Sequence, residues 1–247
     1  MDPAYYVAAG SLKARAYQLD TVSNNIANAS TVGYKTERTF FSIFNKAAAE
    51  GRGLPLSKDV NDGTVLAQRG TDFSQGALKP TQRKMDLAIE GNAFFMVQTP
   101  QGVKATRDGR FKIGEGGEIQ ASDEAPVLGK NGQTIKINPS EGEISIQPDG
   151  TIQQGKETLG QLDLRAYANP TIMERVGSNR YNTAGAQETE VKAKVSQGYL
   201  EQSSVDLPTA MVDMININRL FEMSMKVAST ITNDLDAKVL SDVASSR

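Results

Sequence analysis

Two kinds of hydrophobic pattern share this chain. Near its start, Tyr5, Ala8 or Ala9, Leu12, Ala16, Leu19, Val22 or Ser23 and Ile26 recur at steps of three and four. Lys13, Arg15, Gln18 and Asp20 occupy the opposite face. That is the period of one helical seam. Asp2-Pro3 offers an acceptor cap and a proline whose missing N–H costs nothing, so the helix is predicted to begin there. Asn28-Ala29-Ser30-Thr31-Val32-Gly33 gathers turn formers and a glycine able to take positive φ, which predicts its end. A second seam opens near Asp206-Leu207-Pro208-Thr209. It runs through Met211, Met214 or Ile215, Asn218, Phe221, Met225, Ala228, Ile231, Leu235 and Val239. Its spacing averages near the coiled-coil period. Asn218 either fixes register in that seam or lies at its edge.

Between the seams the pattern changes to short β-type runs. Phe94-Phe95-Met96-Val97, Val103 to Thr106, Phe111-Lys112-Ile113 and Glu118-Ile119-Gln120 are separated by Pro100-Gln101-Gly102, Asp108-Gly109 and Gly114-Glu115-Gly116-Gly117. Ile135-Lys136-Ile137, Ile144-Ser145-Ile146 and Leu162-Asp163-Leu164 continue the series. Turn signals recur every 8–12 residues or so, the spacing of an antiparallel sandwich or barrel. Residues 36–80 are predicted to form an extended connection with short strands, because Gly51-Arg52-Gly53-Leu54-Pro55 and Asn61-Asp62-Gly63 are turn signals.

These patterns predict an α+β chain, with N- and C-terminal helices paired as a coiled-coil-like hairpin and an antiparallel β middle domain. The expected division is a terminal helical part (1–35 and 205–247), an extended or β connecting region (36–80 and 185–204) and a β-rich outer domain (81–184). One small β domain cannot bury both long seams, and a two-helix hairpin still leaves an outer apolar face. Self-association is therefore expected, and the isolated helices are expected to be weakly formed in a dilute monomer.

Composition removes the commonest catalytic routes. The 247 residues include no Cys and no His, so thiolate sites, disulfides and imidazole bases are absent. The 27 basic and 29 acidic residues leave a net charge of −2 with no block of either sign, which gives no footprint for nucleic acid. Gly114-Glu115-Gly116-Gly117 lacks the Lys-Ser/Thr of a phosphate loop and reads as a hairpin turn. Asp108, Asp123, Glu124, Asp149, Glu141 and Glu143 sit at turns, where such residues are routine. No catalytic, cofactor or metal residues are expected. No run reaches the ~18 apolar residues of a membrane span, and Met1 to Tyr6 has no basic and apolar leader, so no cleaved signal peptide is expected.

Leu19-Asp20-Thr21-Val22-Ser23-Asn24-Asn25-Ile26-Ala27-Asn28-Ala29-Ser30-Thr31-Val32-Gly33-Tyr34-Lys35 resembles the N-terminal signature of flagellar basal-body rod and hook proteins, L-D-x-x-x-N-N-[IL]-A-N-x-x-T-x-G-[FY]-K. Gly91-Asn92-Ala93-Phe94-Phe95 and Thr106-Arg107-Asp108-Gly109-Arg110-Phe111 resemble the G-N-G/A-F-F and T-R-D-G-x-F segments of that family. Gly198-Tyr199-Leu200-Glu201-Gln202-Ser203-Ser204-Val205 is similar to G-x-L-E-x-S-N-V, with Ser204 where the family has Asn. Ala210 to Ile215 and Arg219-Leu220-Phe221-Glu222 resemble proximal-rod members more than distal ones.

The resemblance implies a non-enzymatic structural subunit of the flagellar rod, proximal type, with a distal rod or hook subunit as the near alternative. A carboxylate-dependent hydrolase and a non-axial export adaptor are the distant ones. It implies a helical tube whose inner wall is the paired terminal helices, in the periplasmic span of the basal body. Export would use the flagellum's own type III apparatus, and the partners would be other rod subunits and further copies. It implies subunit packing through Leu12, Leu19, Ile26, Met211, Ile215, Phe221, Met225, Ile231 and Leu235. Signature roles fall to Asn24, Asn25, Asn28, Gly33, Arg219 and Glu222. The asparagines would hydrogen-bond backbone or neighbouring subunits where the helix ends, and Gly33 would permit the reversal.

Overall fold

The computed structural model describes residues 3–44, 64–138 and 141–245, with side-chain surroundings for 9–40, 69–138 and 141–233. Helix α1 spans Pro3–Ala27 and helix α2 spans Leu207–Ser245. Between them lie β1 (Glu37–Phe44), β2 (Thr64–Thr71), β3 (Leu78–Pro80), β4 (Leu87–Gly91), β5 (Ala93–Thr99) and β6 (Gly102–Thr106). Short strands β7 (Lys112–Ile113), β8 (Ile119–Gln120), β9 (Ile144–Ile146), β10 (Thr151–Gln154) and β11 (Glu157–Gln161) follow. The series closes with β12 (Leu164–Tyr167), β13 (Glu174–Arg175), β14 (Arg180–Asn182), β15 (Glu188–Thr189), β16 (Ala193–Gln197) and β17 (Tyr199–Glu201). The class is α+β, with helices at both ends and an antiparallel β middle. Among the described residues the extensive element contacts are all strand to strand.

The chain forms two compact units, one made of Met1–Ile26, Glu37–Gly70 and Leu207–Arg247, the other of Ala27–Thr36 and Thr71–Asp206. In the second unit the largest sheet has the order β13-β14-β6-β5-β12-β15. Strand β5 is central. Its successive side chains point to opposite faces, and both faces are covered, which explains why it reads as an unbroken apolar run. Phe95 and Val97 enter a core with Leu87, Ile89, Phe111 and Ile152. Phe94 and Met96 enter another with Leu128, Tyr167, Met173 and Tyr181. Phe95 and Phe111 meet edge-on with ring centroids 5.0 Å apart, the favoured arrangement for aromatic quadrupoles.

In the first unit β1 pairs with β2. Where the sequence predicts an extended connection with short strands, the described part of 36–80 holds two eight-residue strands and the three-residue β3; the turn signals at 51–55 and 61–63 fall outside the described residues. Helix α1 docks on β1 and β2 through polar groups. Thr21 Oγ1 lies 2.9 Å from Thr39 Oγ1, Asp20 pairs with Arg69, and Asn25 holds Glu37 by two hydrogen bonds. Among the described side chains of α1, Thr21 and Asn25 are the buried ones, whereas Leu12, Leu19 and Ile26 are half-buried beside them.

Along α2, Ala210, Met214, Ile217, Phe221, Ser224, Ala228 and Ile231 are half-buried, in alternating steps of four and three. Asn218 is exposed, at the edge of that stripe. Among the described residues, seven apolar ones lie away from the stripe: Met211, Val212, Ile215, Leu220, Met223, Met225 and Val227, each exposed. At about 100° per residue they occupy both flanks and the back of the helix. Among the described residues no helix is long and apolar enough to cross a membrane.

Candidate functional site at the junction of the chain ends

Helix α1 ends at Ala27, and residues 28–36 double back into the β unit. Asn28 initiates the turn, its carbonyl accepting from Thr31 N at 3.0 Å and its Oδ1 from Thr31 Oγ1 at 3.2 Å. Gly33 then adopts φ 68°. A Cβ at that position would stand 2.6 Å from Asp108 N and 2.7 Å from Arg107 C, so both the dihedral and the close approach exclude a side chain.

From Gly33 onward the segment is zipped to the end of β17. Gly33 N donates to Glu201 O at 2.8 Å, and Ser204 N donates to Tyr34 O at 3.0 Å. Thr36 N donates to Ser204 Oγ at 2.9 Å, and the Thr36 and Ser204 hydroxyls are 3.0 Å apart. Ser204, the departure from the family pattern, thus supplies both side-chain bonds that hold Thr36.

Under this zipper lies a charged knot. Lys35 Nζ is 2.6 Å from Glu201 Oε1 and 2.7 Å from Ser74 O. Glu201 Oε1 also accepts from Gly76 N at 2.9 Å. Arg107 Nη1 reaches Glu201 Oε2 at 3.3 Å, and its Nη2 donates to Gly91 O at 2.6 Å. Lys35 and Glu201 are fully buried and Arg107 nearly so. Burial pushes the Lys35 ammonium below the usual lysine range, a fall that Glu201 offsets only in part. Burial lowers the Arg107 guanidinium as well. The Arg107 guanidinium carbon lies 4.8 Å from the centroid of the Phe94 ring, so an aromatic face shares in the solvation that water no longer provides.

A hairpin closes the outside of the turn. Asn179 Nδ2 donates to Val32 O at 2.9 Å, Arg175 donates to Asn179 Oδ1, and the Arg175 guanidinium stacks 4.0 Å from the Tyr34 ring centroid. A polar cleft of about 430 Å³ opens beside it. The cleft's Arg110 is paired with Asp108 at 2.6 Å and its Arg180 is paired with Asp123. Among the described residues no group of three or more His, Cys, Asp or Glu is placed to hold a metal ion.

The sequence-predicted residues divide between the two units. Asn28 and Gly33 lie in the junction. Asn25 belongs to the other unit and bonds the backbone of Glu37 within it, and Asn24 is exposed, its amide donating to Asp20 O of its own helix at 2.9 Å. Met211, Ile215 and Met225 are exposed by 53%, 52% and 52%, while Phe221 and Ile231 are half-buried. Arg219 and Glu222 are exposed. Leu235 lies outside the residues whose side chains are described. Sequence reasoning assigned no role to Lys35, Arg107 and Glu201. Their signal was present, because each is a charge beside Tyr34, Thr106 or Leu200 within one of the quoted motifs.

A β unit whose two chain ends are fastened together, flanked in sequence by helices that carry exposed apolar residues, defines the class of an assembling structural subunit. The matching families specify it. A profile described as "Flagella basal body rod protein" matches residues 6–35, "Flagellar hook protein FlgE/F/G D1 domain" matches 88–154, and "Flagellar basal body rod FlgEFG protein C-terminal" matches 196–241. The chain is 33% identical to the flagellar basal-body rod protein FlgG of Borreliella burgdorferi, over 94% of this chain and 96% of that one. It is 32% identical to FlgG of Bacillus subtilis over 86% and 89%, and 34% identical to FlgF of Caulobacter vibrioides over 92% of each. The chain belongs to the flagellar basal-body rod protein family. It is a structural subunit of the flagellar rod, located in the basal body.

Proposed function

We propose that this rod subunit occupies the proximal rod, polymerises around the flagellar axis and carries torque without enzymatic activity. The observation that carries this reading is α2. A helix apolar on all sides is stable in water only when other elements surround it. Residues 207–233 hold just four charges, Asp213, Arg219, Glu222 and Lys226, so most of the helix surface gains by burial. The occupants are α1 of the same chain, paired with α2 as a coiled-coil-like hairpin, and the helices of neighbouring rod subunits. Leu12, Leu19, Ile26, Met211, Ile215, Phe221, Met225, Ile231 and Leu235 carry that packing. The subunit reaches the periplasmic span through the flagellar type III apparatus.

The proximal position is favoured by Ala210, where distal-type sequences have Glu, and by Asn218-Arg219-Leu220-Phe221-Glu222 in place of the distal Q-R-A-Y-E. The distal position is the second reading, and it draws on the FlgG relatives. Electron microscopy of basal bodies carrying a tag in the β unit separates the two. Label between the membrane ring and the distal rod supports the proximal reading, and label further out supports the distal one. Basal bodies without label would overturn both.

A further inference from the structure

The charged knot contains two cations and one carboxylate. Arg107 and Glu201 already form a neutral pair, anchored by Gly91 O and Gly76 N. Lys35 adds a second, fully buried cation, and taking an ammonium out of water is costly unless its contacts with Glu201 and Ser74 O and the nearby Asp72 carboxylate repay it. Lys35 joins segments 166 positions apart in sequence. Glu37, the first residue of β1, follows Thr36 directly, and α2 begins three residues after Ser204. The two sides of the zipper are therefore the points from which both chain ends leave the β unit.

We infer that Lys35 is a positioning residue for assembly: its ammonium holds the turn 28–36 in register with the 201–204 segment, and so sets where the two chain ends depart, without being needed for the β unit to fold. This rests on the rod reading above. The knot is asymmetric, because Arg107 holds Glu201 and Gly91 O by contacts of its own. Lys35→Met leaves the neutral Arg107–Glu201 pair intact, so its effect stays local. Glu201→Gln strands two buried cations, so its effect spreads through the whole unit.

The test compares full-length wild type, Lys35→Met and Glu201→Gln by hydrogen exchange, thermal melting and incorporation into basal bodies of cells lacking the wild-type copy. For Lys35→Met, amides of 28–36 should lose protection at least about tenfold relative to those of β5 and β6. The melting midpoint of the β unit should move by no more than about 4 °C, and incorporation should fall. Glu201→Gln should lower the midpoint and open β5 and β6 as well. Unchanged protection at 28–36 in Lys35→Met, normal incorporation despite lost protection, or the same global effect in both variants would each overturn the inference. Absence of the wild type from basal bodies would instead strike the rod reading and leave the exchange result standing.

Discussion

Asn25 clamps the backbone of Glu37 from both sides: its Nδ2 donates to Glu37 O at 2.8 Å and its Oδ1 accepts from Glu37 N at 2.9 Å. The side-chain amide completes the hydrogen bonding of one residue at the start of β1, and Asn25 is itself buried. Asn25→Asp keeps the acceptor but turns the donor into an oxygen facing a carbonyl. Leaving a buried polar group unpaired costs about 1–3 kcal/mol, more when a charge is involved. Asn24→Ala, at an exposed position whose amide bonds its own helix, should cost well under half as much. Chemical unfolding of both variants measures the contrast, and equal losses would show that the clamp adds nothing.

Gly33→Ala should weaken the junction more than a glycine-to-alanine change in an ordinary turn. Positive φ alone costs about 1–3 kcal/mol for a residue with a side chain. The added Cβ would also meet the backbone of Arg107 and Asp108 closer than 3 Å. Calorimetry of the variant should show a clear fall in the midpoint, with faster exchange at the Gly33 to Glu201 hydrogen bond. A midpoint within error of wild type would mean that the turn can be rebuilt without the close approach.

Lys35 makes a signed prediction about pH. Its proton affinity is lowered by burial, and the charged groups acting on it are Glu201, Arg107 and Asp72. Between that lowered value and the ordinary 10.5, the unfolded chain holds a proton that the folded chain has released. Stability contributed by this group therefore rises with pH through the window below 10.5. Wild type should gain on Lys35→Met as pH is raised toward 10.5, in unfolding free energies measured side by side. A difference that is flat or falls with pH would contradict the sign.

Ile215 and Phe221 should behave differently, although the sequence pattern places both in one seam. Ile215 is exposed and Phe221 half-buried. Ile215→Asp is expected to leave the thermal midpoint of the isolated chain unchanged while preventing incorporation into basal bodies, since the charge is buried only on assembly. Leu19→Asp and Phe221→Asp should lower both. The same logic expects far-UV circular dichroism of a dilute monomer to gain helical signal when the subunit assembles. Motility at wild-type level with Ile215→Asp would remove α2 from the packing surface.

Phe111→Ala should cost about 3–5 kcal/mol, the range for deleting a buried aromatic ring, because it removes the edge-on partner of Phe95 at the centre of the larger core. A loss below about 1 kcal/mol, the level of tolerated core changes, would mean that the core refills the space.

Much of this architecture is local and was legible in the sequence. The steps of three and four predicted α1 and α2, and the turn cluster after Ala27 marked the end of α1, because helix period and turn chemistry depend on neighbours a few residues away. Short runs between glycine turns predicted the antiparallel middle for the same reason. The sequence could not reveal which face of each helix its own chain would cover. The seam drawn through Leu12, Leu19 and Ile26 runs beside the residues that α1 buries most deeply, Thr21 and Asn25. Those two are polar, and an apolar count overlooks them. In α2 the half-covered stripe passes through Ile217 and Ser224, one residue before the Asn218 and Met225 of the drawn seam, both of which are exposed. With Ile215, Ile217, Met223 and Met225 all apolar, hydrophobicity alone could not choose the covered face.

By itself the sequence determined the two terminal helices, the antiparallel β character of the middle and the motifs that tie the chain to the rod family. Only the tertiary structure decided that Lys35, Arg107 and Glu201 share one buried site and that Ser204 meets Thr36. The reason is physical. A helix or turn is selected by short-range sterics and hydrogen bonds, whereas joining position 35 to position 201 requires the whole β unit to close the loop between them, and no local pattern encodes that closure.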